Sequence, residues 1–147
     1  MISSRSLDDL LPEVAVLCQQ FIDACKDAGC PVLITSTYRD KASQNALYAQ
    51  GRTMPGKRVT NVQGGRSFHQ YRVAFDWVPI DADKQPVWGD DDLWEQCGAI
   101  GEGLGLEWGG TWNSFVDKPH MQFTGGKSIQ QFWDEQESDI RNTSIGK

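Results

Sequence analysis

The most informative stretch of this chain for its fold is Ser67-Phe68-His69-Gln70-Tyr71-Arg72-Val73-Ala74-Phe75-Asp76. In its second half Val73 and Phe75 alternate with Ala74 and Asp76. This alternation predicts a strand with one apolar face and with Asp76 on the opposite face. Between His69 and Asp76, seven extended residues would span roughly 23 Å, too far for two side chains that serve one site. We therefore expect a tight hairpin near Tyr71 and Arg72 that brings both side chains together across adjacent strands.

Outside this segment the chain mixes helical and strand patterns. Apolar residues recur at helical spacing from Leu10 to Cys25, and the short apolar run 32–36 is typical of a buried strand. Similar reasoning predicts a helix over 41–50 capped by Asp40, a helix starting at Asp90 or Asp91, a strand over 120–123 and a short helix after Ser128. Because helices and strands do not alternate regularly, the pattern favours an α+β fold.

The stretch from Arg52 to Arg66 contains glycine and proline but no apolar periodicity. This composition predicts a long surface loop. Loops of that length often carry function. A flexible lid over a cleft and a plainly disordered connection both fit the pattern.

Composition and charge limit the classes of function. The 147 residues fit a single domain, which we take to span residues 1–147. A net charge of −6 and a pI near 4.8 do not suit a nucleic-acid-binding protein. Neither a membrane-spanning stretch nor a secretory signal peptide is visible, so we expect a protein held in the cytoplasm without membrane insertion. The four cysteines form no Cys-x-x-Cys pair, and we expect reduced, packed thiols.

The chain contains only two histidines, His69 and His120, and each has an acid nearby. A catalytic zinc ion takes three protein ligands and keeps one position for water, and His69, Asp76 and His120 satisfy that count. A carboxylate inside an apolar strand is costly unless it is paired, and a dication would pair it. For Asp76, an ion pair with arginine or lysine, or simple exposure on an open sheet face, explains the position equally well.

Asp117 lies three residues before His120, and Pro119 between them disfavours a shared helix. A turn would leave Asp117 at the rim of a cleft, where it could act as general base toward a metal-bound water. A turn-capping aspartate is the competing interpretation. Two histidines and one carboxylate also suit iron oxygenases, so ligand type alone leaves hydrolysis and oxygenation both open.

Four motifs together carry a family resemblance: Ser36-Thr37-Tyr38-Arg39, Gln44-x-x-Leu47-Tyr48-x-Gln50-Gly51-Arg52, Ser67-x-His69 followed by Ala74-x-Asp76, and Asp117-x-x-His120. This pattern, which spans roughly residues 35–123, resembles the zinc peptidases of the D-alanyl-D-alanine carboxypeptidase group, whose fold is shared by hedgehog signalling domains. Within that group it most resembles the L-alanyl-D-glutamate endopeptidases used as phage endolysins. The resemblance implies a small, mostly antiparallel sheet with helices packed on one face.

The resemblance also implies roles for individual residues. His69, Asp76 and His120 would bind one zinc ion, and Asp117 would be the catalytic acid and base. Arg39 would contact substrate or the developing oxyanion, although an ion pair with Asp40 or Asp27 is an alternative for it. Two further residues would line the cleft, Ser67 and Gln44. By their position before Asp117, and apart from the resemblance, Trp108, Gly109, Gly110 and Trp112 would form either an aromatic wall of the cleft or part of the core.

The implied substrate is the stem peptide of peptidoglycan, cut between L-alanine and D-glutamate. A D,D- or L,D-carboxypeptidase or dipeptidase on the same fold is the main alternative, and a zinc-stabilised binding module without catalysis is another. We expect a monomer that lacks a separate cell-wall-binding module and is released to the wall through a holin-made lesion. One departure stands out, because the family commonly has glycine where this chain has Arg72. A positive φ there would strain the arginine.

Overall fold

The computed structural model describes residues 1–145, which form an α+β fold as predicted. The helices are α1 (Pro12–Asp27), α2 (Lys41–Ala49), α3 (Asp91–Gly103) and α4 (Ile129–Ile145). The strands are β1 (Val32–Ser36), β2 (Ala74–Pro79), β3 (Glu107–Trp108) and β4 (His120–Gln122). Short 3-10 helices occupy Leu7–Asp9, Phe68–Tyr71 and Gly109–Thr111. Among the described helices, none is both long and apolar enough to cross a membrane.

The four strands form one sheet in the order β1-β2-β4-β3, and every neighbouring pair is antiparallel. Strand β2 is therefore flanked on both edges, by β1 on one side and β4 on the other. In the β2–β4 pair, Asp76 lies directly opposite His120. The register of the sheet thus brings two distant parts of the sequence to the same point.

Helices α1 and α3 cover one face of the sheet, as predicted, and an aromatic cluster joins them to β2. The Phe21 ring of α1 lies 5.2 Å from the Trp77 ring, and the Trp94 ring of α3 lies 4.8 Å from it on another side. All three side chains are essentially inaccessible to solvent. Burial of this apolar area is the main stabilising contribution to the fold, and it leaves the alternate residue Asp76 facing away from the core.

All four cysteines are buried and free of disulfides, in agreement with the prediction of packed thiols. Burial raises the pKa of the Cys18 thiol to about 12. Burial, together with the neighbouring Cys97, raises the pKa of Cys30 to about 11. The Cys18 and Cys30 thiols are therefore neutral at physiological pH and behave as small apolar side chains.

The helix starts follow the predicted caps. The Asp40 carboxylate accepts a hydrogen bond from the Ser43 amide at 2.8 Å at the start of α2. The Asp90 carboxylate accepts from the Leu93 amide at 3.1 Å at the start of α3. The last helix, α4, is 17 residues long, so the expectation of a short helix was wrong.

The predicted loop over 52–66 contains no helix or strand, and it is tied to its surroundings at several points. Gln44 on α2 donates a hydrogen bond to the Val62 carbonyl at 2.7 Å. The Tyr71 hydroxyl donates to the Gly65 carbonyl at 2.7 Å. Gly65 has φ +85°, and a Cβ there would overlap the Trp133 ring of α4, so only glycine fits. The loop is thus anchored between α2 and α4.

The prediction of a hairpin between two strands near Tyr71 and Arg72 was wrong. The chain does reverse there, but it does so through the 3-10 helix Phe68–Tyr71, and His69 lies on that helix rather than on a strand. The physical reason is that both edges of β2 are already occupied, so no further strand can pair beside Asp76.

Arg72 ends the 3-10 helix in the left-handed conformation, with φ 64° and ψ 26°. This is the positive φ anticipated above, a conformation that is costly for an arginine. Its guanidinium stacks on the Tyr38 ring at 3.8 Å and donates a hydrogen bond to the Asp9 carbonyl at 2.9 Å. These contacts offset the backbone cost and hold the turn that precedes β2.

Candidate metal centre and active site

His69, Asp76 and His120 offer three donor atoms that all lie within 4.8 Å of one another. Asp76 Oδ1 is 3.3 Å from His69 Nε2 and 3.7 Å from His120 Nδ1. Two ligands of one tetrahedral zinc ion, each roughly 2.0–2.2 Å from it, lie roughly 3.3–3.6 Å apart. The three side chains therefore fit a single metal ion of this kind.

Each donor is positioned by a different element. His69 comes from the 3-10 helix, whose N-cap Ser67 accepts a hydrogen bond from the His69 amide at 3.3 Å. Asp76 comes from the middle of β2, and His120 is its cross-strand partner at the start of β4. Antiparallel pairing places such partners side by side on one face of a sheet. The centre is therefore built by the sheet on one side and the turn on the other.

The remaining ring nitrogen of each histidine is held by a neighbour. His69 Nδ1 lies 2.8 Å from the Thr37 carbonyl, which can only accept, so this nitrogen carries the proton. His120 Nε2 lies 2.7 Å from Gln122 Oε1, and Gln122 Nε2 donates to Glu107 at 2.9 Å. Since that amide donates to Glu107, its oxygen faces His120. His69 Nε2 and His120 Nδ1 are thereby left as acceptors for a cation, as ligands at metal sites usually are.

The charges of the three groups are coupled. Burial raises the pKa of Asp76, but the adjacent His69 and His120 outweigh it and hold the pKa well below its ordinary value. Burial lowers the pKa of His120, but the hydrogen bond and charge of Asp76 outweigh it and raise the pKa overall. The Asp76 carboxylate thus favours positive charge on the adjacent imidazoles, and a metal ion bound there would supply such a charge.

Arg39 reaches the same carboxylate from the other side. Its guanidinium donates to Asp76 Oδ2 at 3.2 Å and to Gln44 Oε1 at 2.9 Å. Asp76 therefore turns Oδ1 toward the two histidines and Oδ2 toward Arg39. The ion pair with arginine and the binding of a metal ion, which the sequence offered as alternatives for Asp76, can therefore both occur. Asp40, a partner considered for Arg39, instead caps α2.

Asp117 lies on the segment that leads into β4 and lines the same cavity as the three metal-ligand candidates. Its backbone amide donates to the Gly109 carbonyl at 3.0 Å, and its carbonyl accepts from the His120 amide at 3.1 Å. Desolvation in the cleft raises the pKa of the Asp117 carboxyl; His120 opposes this rise and Asp76 adds to it. A carboxylate with a raised pKa is a better proton acceptor at neutral pH.

The cavity has a volume of about 340 Å³. The seven residues to which the sequence assigned metal, catalytic or substrate roles all contribute to its lining: Arg39, Gln44, Ser67, His69, Asp76, Asp117 and His120. Ser67 and Gln44 are only 7% and 1% exposed, and their polar groups mainly hold neighbouring parts of the site. Of the two tryptophans, Trp112 lines the cavity, whereas Trp108 is buried in the core.

Three further residues support the site without having been predicted from the sequence: Thr37, Gln122 and Glu107. Gln122 could have been found from its position, because a residue two places after His120 lies on the same face of the strand. Thr37 contacts His69 through its backbone carbonyl, which carries no side-chain signal. Glu107 lies on the edge strand β3, and only the register of the sheet reveals its proximity to Gln122.

Comparison with known proteins gives consistent matches. Residues 60–123 match the protein family described as D-alanyl-D-alanine carboxypeptidase. Over 123 residues the chain is 36% identical to the peptidoglycan L-alanyl-D-glutamate endopeptidase CwlK of Bacillus subtilis (strain 168), covering 78% of this chain and 73% of that protein. It is 34% identical over 125 residues to the L-alanyl-D-glutamate peptidase of Listeria phage A118, covering 82% of this chain and 41% of that protein.

Among solved structures, the L-Ala D-Glu endopeptidase ChiX of Serratia marcescens has a TM-score of 0.59 at 22% identity, covering 84% of this chain and 89% of that chain. This likeness supports the fold, including the antiparallel sheet expected from the resemblance. The family match spans the segment that carries His69, Asp76 and His120. The family match and the match to the Bacillus subtilis protein together show that the chain belongs to the D-alanyl-D-alanine carboxypeptidase family of peptidases.

Proposed function

We propose that this protein is a zinc-dependent peptidoglycan hydrolase that cleaves the amide between L-alanine and D-glutamate in stem peptides. The observation that carries the proposal is the convergence of the three-donor centre and Asp117 on one cavity. The relatives from Bacillus subtilis and Listeria phage A118, both named for this bond, support the choice of substrate.

In the proposed reaction a zinc ion held by His69, Asp76 and His120 would supply Lewis acidity toward water and the scissile carbonyl. Asp117 would accept the proton of the attacking water and then deliver it to the leaving amine of D-glutamate. Arg39, positioned by Gln44, would bind a carboxylate of the substrate or the developing oxyanion. Thr37 and Gln122 would keep both imidazoles in the tautomer needed for metal binding.

Two other functions compete with this proposal. The family description names a D-alanyl-D-alanine carboxypeptidase, so removal of terminal D-alanine on this scaffold is the competing activity. A zinc-stabilised binding module without catalysis is less well supported, because such a module has no use for a carboxylate with a raised pKa beside the metal centre.

The phage relative supports a role in host lysis. We propose that the protein acts as a monomer, with one catalytic domain over residues 1–147, and reaches the wall after holin action.

A wall-lysis assay tests the proposal. Purified protein loaded with zinc should lower the turbidity of a bacterial cell-wall suspension, chelation should stop the reaction, and added zinc should restore it. Clearing that persists after the metal has been removed would contradict a metal-dependent hydrolase. Binding to the walls without any clearing would contradict cleavage between L-alanine and D-glutamate and would favour the carboxypeptidase or the non-catalytic module, since neither breaks the wall network.

A further inference from the structure

A second cavity of about 460 Å³ adjoins the catalytic cleft. The two cavities share Val59, Thr60, Val62, Trp112 and Asp117 as lining residues, and we call this pair of adjoining cavities the groove. The second cavity adds Asn61, Phe115 and Val116 to this shared lining. We call this extension, lined by residues 59–62 on one side and by Trp112 and 115–117 on the other, the apolar annex.

The annex exposes apolar side chains that the fold does not bury. Phe115 is 75% exposed, Val59 is 58% exposed and Val116 is 57% exposed. Phe115 also has φ 52°, a left-handed conformation that is costly for a bulky side chain. Grouped apolar exposure and backbone strain both cost free energy, and both concentrate where a protein binds a ligand.

The two ends of the groove differ in charge. The catalytic cleft includes two guanidinium groups, those of Arg39 and Arg66. Arg66 is held in place by stacking on the Trp133 ring at 4.6 Å and by donating to Gln130 Oε1 at 2.6 Å. The annex has no basic residue in its lining, and its one charged residue is Asp117 at the junction. One end of the groove thus suits carboxylates, and the other suits an uncharged group.

The substrate of the proposed function has the same asymmetry. On one side of the L-alanyl-D-glutamate bond, D-glutamate carries free or peptide-linked carboxyl groups. On the other side, L-alanine is joined to the lactyl group of N-acetylmuramic acid, so that side presents a small methyl group and an uncharged sugar. The apolar face of a pyranose ring packs well on an aromatic ring, and amide and hydroxyl side chains can hydrogen-bond its substituents.

We propose that the apolar annex is the binding subsite for the N-acetylmuramoyl-L-alanyl side of the substrate, with the sugar packed on Phe115. The D-glutamyl side then points toward Arg39 and Arg66, which fixes the direction in which the stem peptide crosses the metal centre. Thr60 and Asn61 line the annex, and their hydroxyl and amide groups would hydrogen-bond the sugar's hydroxyl and N-acetyl groups. This inference rests on the proposed function and adds to it a preference for stems still attached to the glycan.

The test compares two substrates that share the scissile bond. One is an N-acetylmuramoyl-L-Ala-D-Glu-L-Lys peptide, and the other is the same peptide with N-acetyl in place of the sugar. Phe115→Asn removes the ring, and asparagine tolerates the left-handed conformation better than most other residues that have a side chain, so the loop should be preserved. We expect kcat/KM to fall about tenfold on the muramoyl peptide and to change less than about twofold on the acetyl peptide.

Two variants complete the experiment. Phe115→Tyr keeps the aromatic ring and should keep the preference for the muramoyl peptide. Trp88→Ser removes another exposed aromatic residue, 61% accessible and outside the groove, and should leave both rates unchanged. A fall of equal size on both substrates in Phe115→Asn, or no fall on either, would overturn the assignment of the annex. If the wild type cleaves neither substrate, the proposed function itself fails, and that outcome is distinct from a loss of preference.

Discussion

Gln122 orients His120 from within the same strand: its Oε1 accepts a hydrogen bond from His120 Nε2 across 2.7 Å, and its own amide donates to Glu107 at 2.9 Å. The imidazole is thereby fixed with Nδ1 toward Asp76. The same Glu107 oxygen also accepts a hydrogen bond from the Trp112 indole at 3.2 Å. A short chain of polar contacts therefore connects the edge of the sheet to the metal centre.

Gln122→Leu should weaken zinc binding, because it removes the acceptor that fixes the His120 tautomer. Loss of such a contact to a metal-bound histidine typically costs about 10- to 100-fold in affinity. Competition with a chromophoric chelator measures the change. Gln20→Leu, at an exposed position on α1, is the matched control and should retain the wild-type affinity. Equal affinities in all three proteins would mean that Gln122 does not position the ligand.

Zinc affinity should increase with pH through the range just above the ordinary histidine pKa of 6.5. In the metal-free protein Asp76 raises the pKa of His120, so a proton occupies the site at a pH where a free imidazole is neutral. Zinc must displace that proton, and each step up in pH removes part of the competition. Calorimetry in buffers of different ionisation enthalpy should detect proton release on binding, decreasing as pH rises. An affinity independent of pH between about 6 and 8 would contradict this coupling.

Asp117→Asn should abolish hydrolysis and keep the metal. The amide cannot accept a proton at neutral pH, and loss of a general base typically costs about 10²- to 10⁴-fold in rate. Zinc content should be unchanged, because Asp117 is not among the three grouped donors. Asp92→Asn, at an exposed acid in the first turn of α3, is the control and should be fully active. An active Asp117→Asn protein would remove this residue from the mechanism.

Arg72 should show opposing effects of backbone strain and side-chain contact. Arg72→Ala loses the stacking on Tyr38 and the bond to Asp9, and it keeps the strained φ. Arg72→Gly loses the same contacts but relieves the strain. The glycine variant should therefore be more stable than the alanine variant by about 1 kcal/mol in chemical denaturation. An alanine variant at least as stable as the glycine variant would show that the turn relaxes out of the left-handed conformation.

Much of the architecture follows from local patterns. The helix caps Asp40 and Asp90, the apolar run of β1 and the alternation around Asp76 each predict an element that the structure contains. These signals are local, since a cap or a periodicity depends on residues within one or two turns. The length of α4 escaped prediction because its later residues are polar, and polar residues carry no periodic apolar signal.

The sequence was sufficient to predict which residues form the site, but it was not sufficient to predict how these residues are arranged in space. The scarcity of histidine drew attention to His69 and His120, yet their approach depends on β4 pairing with β2, a contact between distant segments. The hairpin was predicted wrongly because the sequence near Arg72 does not reveal that both edges of β2 are occupied. Supporting contacts such as Gln122 to Glu107 likewise depend on strand register. The sequence alone therefore could not predict which distant segments pair as strands.

The identity of the cleaved bond tests the central claim most directly. Mass spectrometry of N-acetyl-L-Ala-D-Glu-L-Lys-D-Ala-D-Ala treated with the zinc-loaded protein should show two products, N-acetyl-L-alanine and the D-Glu-L-Lys-D-Ala-D-Ala tetrapeptide. The same incubation with chelator should leave the peptide intact. Loss of terminal D-alanine with the L-Ala–D-Glu bond unbroken would contradict the account and identify the protein as a carboxypeptidase.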